Sequence, residues 1–306
     1  MIKIVFFGTP DIGLKSLDYL NKSDKFEVMA VVTQPDKPAG RGNKIKMSPI
    51  KEYAIENNIK VFQPKSIRKE SEVIEALKAL SPDFFVTFAF GQILSQEVLD
   101  IPKYETINLH ASLLPRYRGA NPIQRAIING DKETGICTMI TELGLDCGDV
   151  CKKITIPIPE DMNCEDLYTK ISEDSPEIIE ETLLGLTAKT LTPVKQCEDG
   201  ICFANKLQKD ETEIDFNKSA KEIHNLVRGI YRSPSAFFVH NCKIIKVLET
   251  KVCTGLGNPG EILEASKEGV KIACGEGCIL LTRVKPEGKG EMPARDWYNG
   301  LQNKGK

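Results

Sequence analysis

IKIVFFGTPDIGLKSLDYL, residues 2–20, holds the first decision about the fold. Ile2-Lys3-Ile4-Val5-Phe6-Phe7 is a short, nearly unbroken apolar run. A strand buried on both faces of a parallel sheet reads this way. Gly8-Thr9-Pro10 turns the chain, and Ile12, Leu14, Leu17 and Leu20 then carry a helical stripe. Residues 26–33 form a second apolar, β-rich run. Strand, helix, strand is the unit that builds a parallel sheet.

Working outward, the same alternation continues. Residues 60–62, 84–88, 106–110, 135–141 and 150–156 read as strands, and 50–57, 72–80, 123–128 and 165–186 as helices. The expected fold class is α/β: a Rossmann-like, doubly wound, mostly parallel sheet over residues 1–189. Residues 190–205, with Pro193, Asp199 and Gly200, read as a linker. From residue 206 the rhythm changes. One helix at 219–229 precedes short strands near 235–240, 243–249, 260–265, 269–273 and 278–284, and a helical stretch covers 293–298. Short strands at this spacing predict a smaller, OB-like β-barrel domain over 206–306.

Size and composition agree. A chain of 306 residues exceeds what one core usually holds. Its 41% hydrophobic and 27% charged residues are those of an ordinary globular protein. The net charge of -2 excludes a global field that attracts polyanions, so any such surface is a local patch. No apolar run reaches the roughly 18 residues of a membrane span, and the first is too short for a signal peptide. The reading is cytoplasmic, with no membrane partner. Ten cysteines include no C-x-x-C pair, so no metal site is expected, and small buried or half-buried thiols are.

The first turn fails as a dinucleotide site. Gly8 and Gly13 lack the middle glycine of the fingerprint, and the second strand ends Val32-Thr33-Gln34 without the acidic residue that holds a ribose.

A better signal lies in INLHASLLPRYRGANPI, residues 107–123. Period two puts Asn108 and His110 on one strand face, just before a Pro/Gly loop. Ligands of open α/β sheets bind outside the carboxyl ends of the strands. Downstream, ELGLDCGDV places Asp146 in a loop between two strands. Attack on a carbonyl develops a negative oxygen, which an Asn amide and a protonated imidazole both bind. A carboxylate beside the histidine favours that protonated form and can help take a proton from an attacking amine. Direct transfer between donor and acceptor then needs no protein nucleophile. Cys147, beside Asp146, is the rival reading as a nucleophile. Arg116, Tyr117 and Arg118 read as solvated loop charges, as second-strand support, or as contacts to an anionic substrate. Residues 36–51 carry Lys37, Arg41, Lys44, Lys46 and Lys51 against Asp36 alone. A basic loop on this sheet edge suits a phosphate-rich partner, although a solvated surface loop has the same composition.

Taken together, FFGTPDIGLKSL, VVTQPDKPAGRG, SPIKEYA, FVTFAFGQILS, INLHASLLPRYRGANPI, LGLDCGDV, KLQKDETEIDF and AKEIHNLVRG resemble the folate-dependent formyltransferase family. The Asn-x-His strand, the Ser-Leu-Leu-Pro loop and the downstream Asp are shared across that class. KPAGRG and the second domain point to its members that act on methionyl-tRNA. The resemblance implies formyl transfer from 10-formyltetrahydrofolate to the α-amine of methionyl initiator tRNA. It implies catalytic roles for Asn108, His110 and Asp146, and folate held around Phe88, Ala89, Phe90, Gly91, Gln92 and Ile93 and around Ser112, Leu113, Leu114 and Pro115. It further implies tRNA contacts from Lys37, Arg41, Lys44 and Lys46 and from the C-terminal domain, in a monomeric enzyme. Cys147 departs from the threonine common at that place in the family.

Overall fold

A computed structural model describes residues 1–39 and 44–302. The opening stretch forms β1 (Ile2–Gly8), α1 (Leu14–Lys22) and β2 (Phe26–Val32), with β1 and β2 parallel. Next come β3 (Lys37–Ala39), β4 (Lys44–Lys46), α2 (Pro49–Glu56), β5 (Lys60–Phe62), α3 (Ser71–Leu80) and β6 (Phe84–Phe88). They are followed by α4 (Gln96–Leu99), β7 (Glu105–His110), β8 (Arg118–Gly119), α5 (Pro122–Ile128), β9 (Glu133–Ile140), β10 (Val150–Pro157) and α6 (Cys164–Thr187). The basic stretch expected as a loop is a short hairpin: Lys37 pairs with Lys46, and Pro38 with Ile45. Arg41 lies outside the described residues.

The main sheet has the order β10-β9-β7-β6-β1-β2-β5. The chain winds from β1 outward to β2 and β5, then returns to β6 and winds the other way to β7. The β1/β2, β1/β6, β2/β5 and β6/β7 pairs are parallel, and β9 runs antiparallel to β7. The winding reverses between β1 and β6, which places a crevice at their carboxyl ends. Thr9 spans it, donating from Oγ1 to the Phe90 carbonyl at 3.1 Å. Phe6, Phe7, Phe84, Phe85 and Phe88 are at most 2% exposed and fix the register beneath that crevice. Each such ring contributes roughly 1.5–3 kcal/mol on burial.

The remaining strands are β11 (Phe203–Ala204), which pairs with β8, and β12 (Ala236–His240), β13 (Lys243–Cys253), β14 (Ile262–Ala265), β15 (Val270–Ala273), β16 (Cys278–Pro286) and β17 (Met292–Pro293). The last six form one antiparallel sheet of order β12-β13-β16-β15-β14, with β17 on β16. Helices α7 (Ala220–Gly229) and α8 (Ala294–Gln302) complete this part. Ser219 and Glu222 cap α7 reciprocally, satisfying two free N–H groups of its first turn. Ile223, Val227, Val247, Ile279, Leu281 and Trp297 form its core.

The chain packs as two compact units, residues 1–119, 134–156 and 168–203 in one and 120–133, 157–167 and 204–306 in the other. No helix among the described residues is long and apolar enough to cross a membrane.

Candidate active site

Strand β7 ends in Asn108 and His110 because a six-residue strand here has polar tips on one face and Ile107 and Leu109 buried on the other. Asn108 pairs in register with Thr87 of β6, and Thr87 Oγ1 donates to Asn108 Oδ1 at 2.7 Å. With its oxygen held, the half-buried amide presents its N–H donors. His110 is 6% exposed. Its Nε2 lies 2.9 Å from the Tyr117 carbonyl. A carbonyl only accepts, so Nε2 carries a hydrogen. The other ring nitrogen, Nδ1, faces Asp146 Oδ2 at 3.6 Å. The Gly119 N–H donates to that same oxygen at 2.8 Å. The structure therefore brings His110 and Asp146 together and seats Asn108 on the same strand end.

Two loops make this possible. In residues 111–117 the Ser112 hydroxyl donates to the Arg116 carbonyl at 2.7 Å, and the buried Cys137 thiol donates to the Ser112 carbonyl at 2.9 Å. Burial pushes that thiol up to about 11, so it stays a neutral donor. Tyr117 adopts φ 61°, which turns its carbonyl toward His110. In the second loop Asp146 has φ 46°, another left-handed residue that is not glycine. Cys147 points its sulfur to Glu142 Oε2, 3.9 Å away in the same loop.

The expected folate segments leave the carboxyl ends of β6 and β7. Phe88, Phe90, Ser112 and Leu114 have buried side chains, so any ligand meets their backbone. Gln92 is occupied: its oxygen accepts from the Ile67 N–H at 2.8 Å and its nitrogen donates to the Pro64 carbonyl at 2.9 Å. The Leu114 carbonyl accepts from Lys153 Nζ. Leu113 and Pro115 are half-buried, while Ala89 and Gly91 are exposed with positive φ, and Ile93 is exposed. Of the basic residues, Lys37 and Lys46 are exposed, and Lys44 pairs with Ala39 through the backbone. Lys51 differs: it pairs with Asp36 at 2.6 Å and fixes the hairpin base. That ammonium, then the Gln63 amide, holds the Asp36 carboxyl below its ordinary range.

Sequence reasoning missed four contributors: Thr87, the Tyr117 carbonyl, Cys202 and Gln196. Thr87 left a trace, as the one polar residue in FFVTF. The others left none, because the contacts of Gln196 and Cys202 span 48 to 85 residues and the Tyr117 group is main chain. Both arginines of the PRYRG loop have partners within the protein: Arg118 bonds to Gln196, and the Arg116 guanidinium sits 5.1 Å over the Tyr117 ring.

Comparison with known proteins gives a consistent result. The formyl transferase family matches residues 2–183, and the formyl transferase C-terminal domain matches 206–302. A methionyl-tRNA formyltransferase of Clostridium novyi is 42% identical over 301 residues, covering 98% of this chain and 97% of that one. One from Clostridium botulinum is 45% identical over 302 residues, covering 98% and 96%. Among solved structures, the N-formyltransferase from Helicobacter canadensis in complex with folinic acid and dTDP-3-aminofucose superposes with a TM-score of 0.70 at 23% identity, over 92% of this chain and 99% of that one. Methionyl-tRNA formyltransferase from Clostridium thermocellum superposes at 0.60 with 16% identity, over 95% and 100%. At these identities the structural likeness speaks for the fold.

Proposed function

The chain belongs to the formyl transferase family and is a formyl-transferring enzyme; from that premise we propose that it moves the formyl group of 10-formyltetrahydrofolate to the α-amine of methionyl initiator tRNA. The observation that carries the chemistry is the approach of Asp146 to His110 at 3.6 Å, on the strand that also ends in Asn108.

The amine attacks the formyl carbon, forming the new C–N bond as the carbonyl oxygen becomes negative. Asn108 donates an amide N–H to that oxygen, since Thr87 already holds its Oδ1. His110 donates from Nδ1, the nitrogen left after Tyr117 takes Nε2. Asp146 stabilises the charged ring and accepts the proton that the amine loses, directly or through water. Collapse breaks the bond to the folate nitrogen, which leaves with the proton that Asp146 took from the amine. No side-chain nucleophile takes part.

Folate is proposed to lie along 88–93 and 112–115, contacted by backbone at the buried positions and by the exposed Ala89, Gly91 and Ile93. The hairpin residues Lys37, Lys44 and Lys46, with Arg41 between them, are proposed to meet tRNA phosphates, helped by the C-terminal domain of residues 206–306. A monomer in the cytoplasm fits this role.

The test is formyl transfer by the purified protein from 10-formyltetrahydrofolate to methionyl initiator tRNA, read as formylmethionyl-tRNA. A nucleotide aminosugar is the control acceptor. Transfer to the sugar and none to tRNA would overturn the reading.

A further inference from the structure

The segment between the two family matches, residues 184–205, has no chemistry assigned to it. It nevertheless holds a side chain with four hydrogen bonds to the loops of the site. Gln196 Nε2 donates to the Asp146 carbonyl at 2.9 Å and to the Gly148 carbonyl at 2.8 Å. Its Oε1 accepts from Arg118 Nε at 3.1 Å and from the terminal Arg118 nitrogen at 2.8 Å. One amide thus ties together the loop of Asp146 and the loop whose Tyr117 carbonyl holds His110.

We propose that Gln196 is a positioning residue for formyl transfer, setting the Asp146 carboxylate against His110 while touching no reacting atom. The inference rests on the formyl-transfer reading of the site.

The need for such a clamp is visible. Residues 142–145 are exposed, with Leu143 61% and Leu145 59% accessible. A loop with so little packing does not hold a carboxylate in place by itself. Asp146 also keeps a left-handed backbone, which persists only when its surroundings over-determine it. The two Gln196 donors straddle Cys147 and fix the carbonyls on either side of the turn.

The residue type is specific. A side-chain amide is a donor and an acceptor at once. Glutamate keeps the Arg118 contact and repels both carbonyls, and methionine keeps the shape and makes neither contact. The delivery of Gln196 is built in as well. Val194, two residues earlier, exchanges main-chain hydrogen bonds with Val150 at 2.9 and 2.8 Å. Six residues later, the Cys202 carbonyl accepts from the Arg118 N–H at 3.0 Å and its sulfur from the Tyr117 N–H at 3.2 Å. The stretch from Val194 to Cys202 is anchored at both ends, with the amide between.

The experiment compares Gln196→Met and Gln196→Glu with wild type, each also in an Asp146→Ala background. Displacing a catalytic group by about 1 Å costs on the order of 10²-fold in rate. Both single variants are expected to lose kcat on that scale, with KM for folate and Tm little changed. In the Asp146→Ala background the same changes should cost almost nothing more, because Gln196 acts through Asp146. The His110 imidazole resonances should also move in both variants, a readout independent of turnover. Wild-type kcat in both variants, an equal loss in both backgrounds, or unmoved His110 resonances would overturn the proposal. Absence of formyl transfer by the wild type would instead refute the functional reading.

Discussion

His110 divides its two nitrogens between the backbone and Asp146. Nε2 is tied to the Tyr117 carbonyl at 2.9 Å, so Nδ1 is the nitrogen left to face Asp146, 3.6 Å away. His110→Ala is therefore expected to lower turnover by about 10²–10³-fold with the fold retained, as for loss of an oxyanion donor. Asp146→Ala should also cripple transfer, and the double variant should be little worse than either, because the groups act as a unit. Steady-state rates with a melting curve for each variant check both statements. Cys147 stands in the same loop, but its sulfur contacts Glu142. Cys147→Ser is expected to keep most activity. Loss of activity in a folded Cys147→Ser protein would restore the nucleophile reading.

Among the elements, the β3–β4 hairpin sets two like charges face to face. Lys37 sits directly opposite Lys46, and both are exposed. Like charges in that position destabilise a pair of strands, a cost that a bound polyanion would relieve. The base is held independently by Asp36 with Lys51 and Gln63. Lys37→Ala with Lys46→Ala should leave the folate KM unchanged and weaken tRNA binding. Each lost phosphate contact should lower the slope of log affinity against log salt by about 0.7–0.9. Binding measured across a salt series decides this, and an unchanged slope removes the hairpin from the tRNA contact.

For the molecule as a whole, stability should depend on pH through His224 on α7. Its Nδ1 lies 2.8 Å from the Thr250 hydroxyl and its Nε2 3.2 Å from the Glu160 carbonyl, an arrangement that suits the neutral ring. Burial is the main cause that holds His224 below its ordinary value of 6.5, and Arg228 and Lys221 add to it against Glu160. The unfolded chain then takes up this proton first. Its contribution is present above pH 6.5 and is lost as the pH falls below that value. His224→Gln keeps a donor and an acceptor without titrating. Urea unfolding at pH 7.5 and 5.5 should show the wild type losing more stability than His224→Gln on acidification. Parallel losses would remove His224 as the cause.

How much of this was legible depends on the range of the forces involved. The sequence alone determined the alternation of strands and helices, the change of rhythm near residue 206 and the candidacy of Asn108, His110 and Asp146. Those features rest on local periodicity, on turn chemistry, and on polar residues standing out in an apolar strand. It did not reveal the pairing of Lys37 with Lys46, because three-residue strands carry almost no periodic signal. Nor did it reveal that Arg118 is occupied by Gln196 while Lys51 is occupied by Asp36. Only the tertiary structure decided which nitrogen of His110 faces Asp146, and which residue holds that loop in place. Those are matters of direction across 27 to 78 residues of chain, set by the winding of the sheet and by main-chain hydrogen bonds that no side-chain pattern encodes.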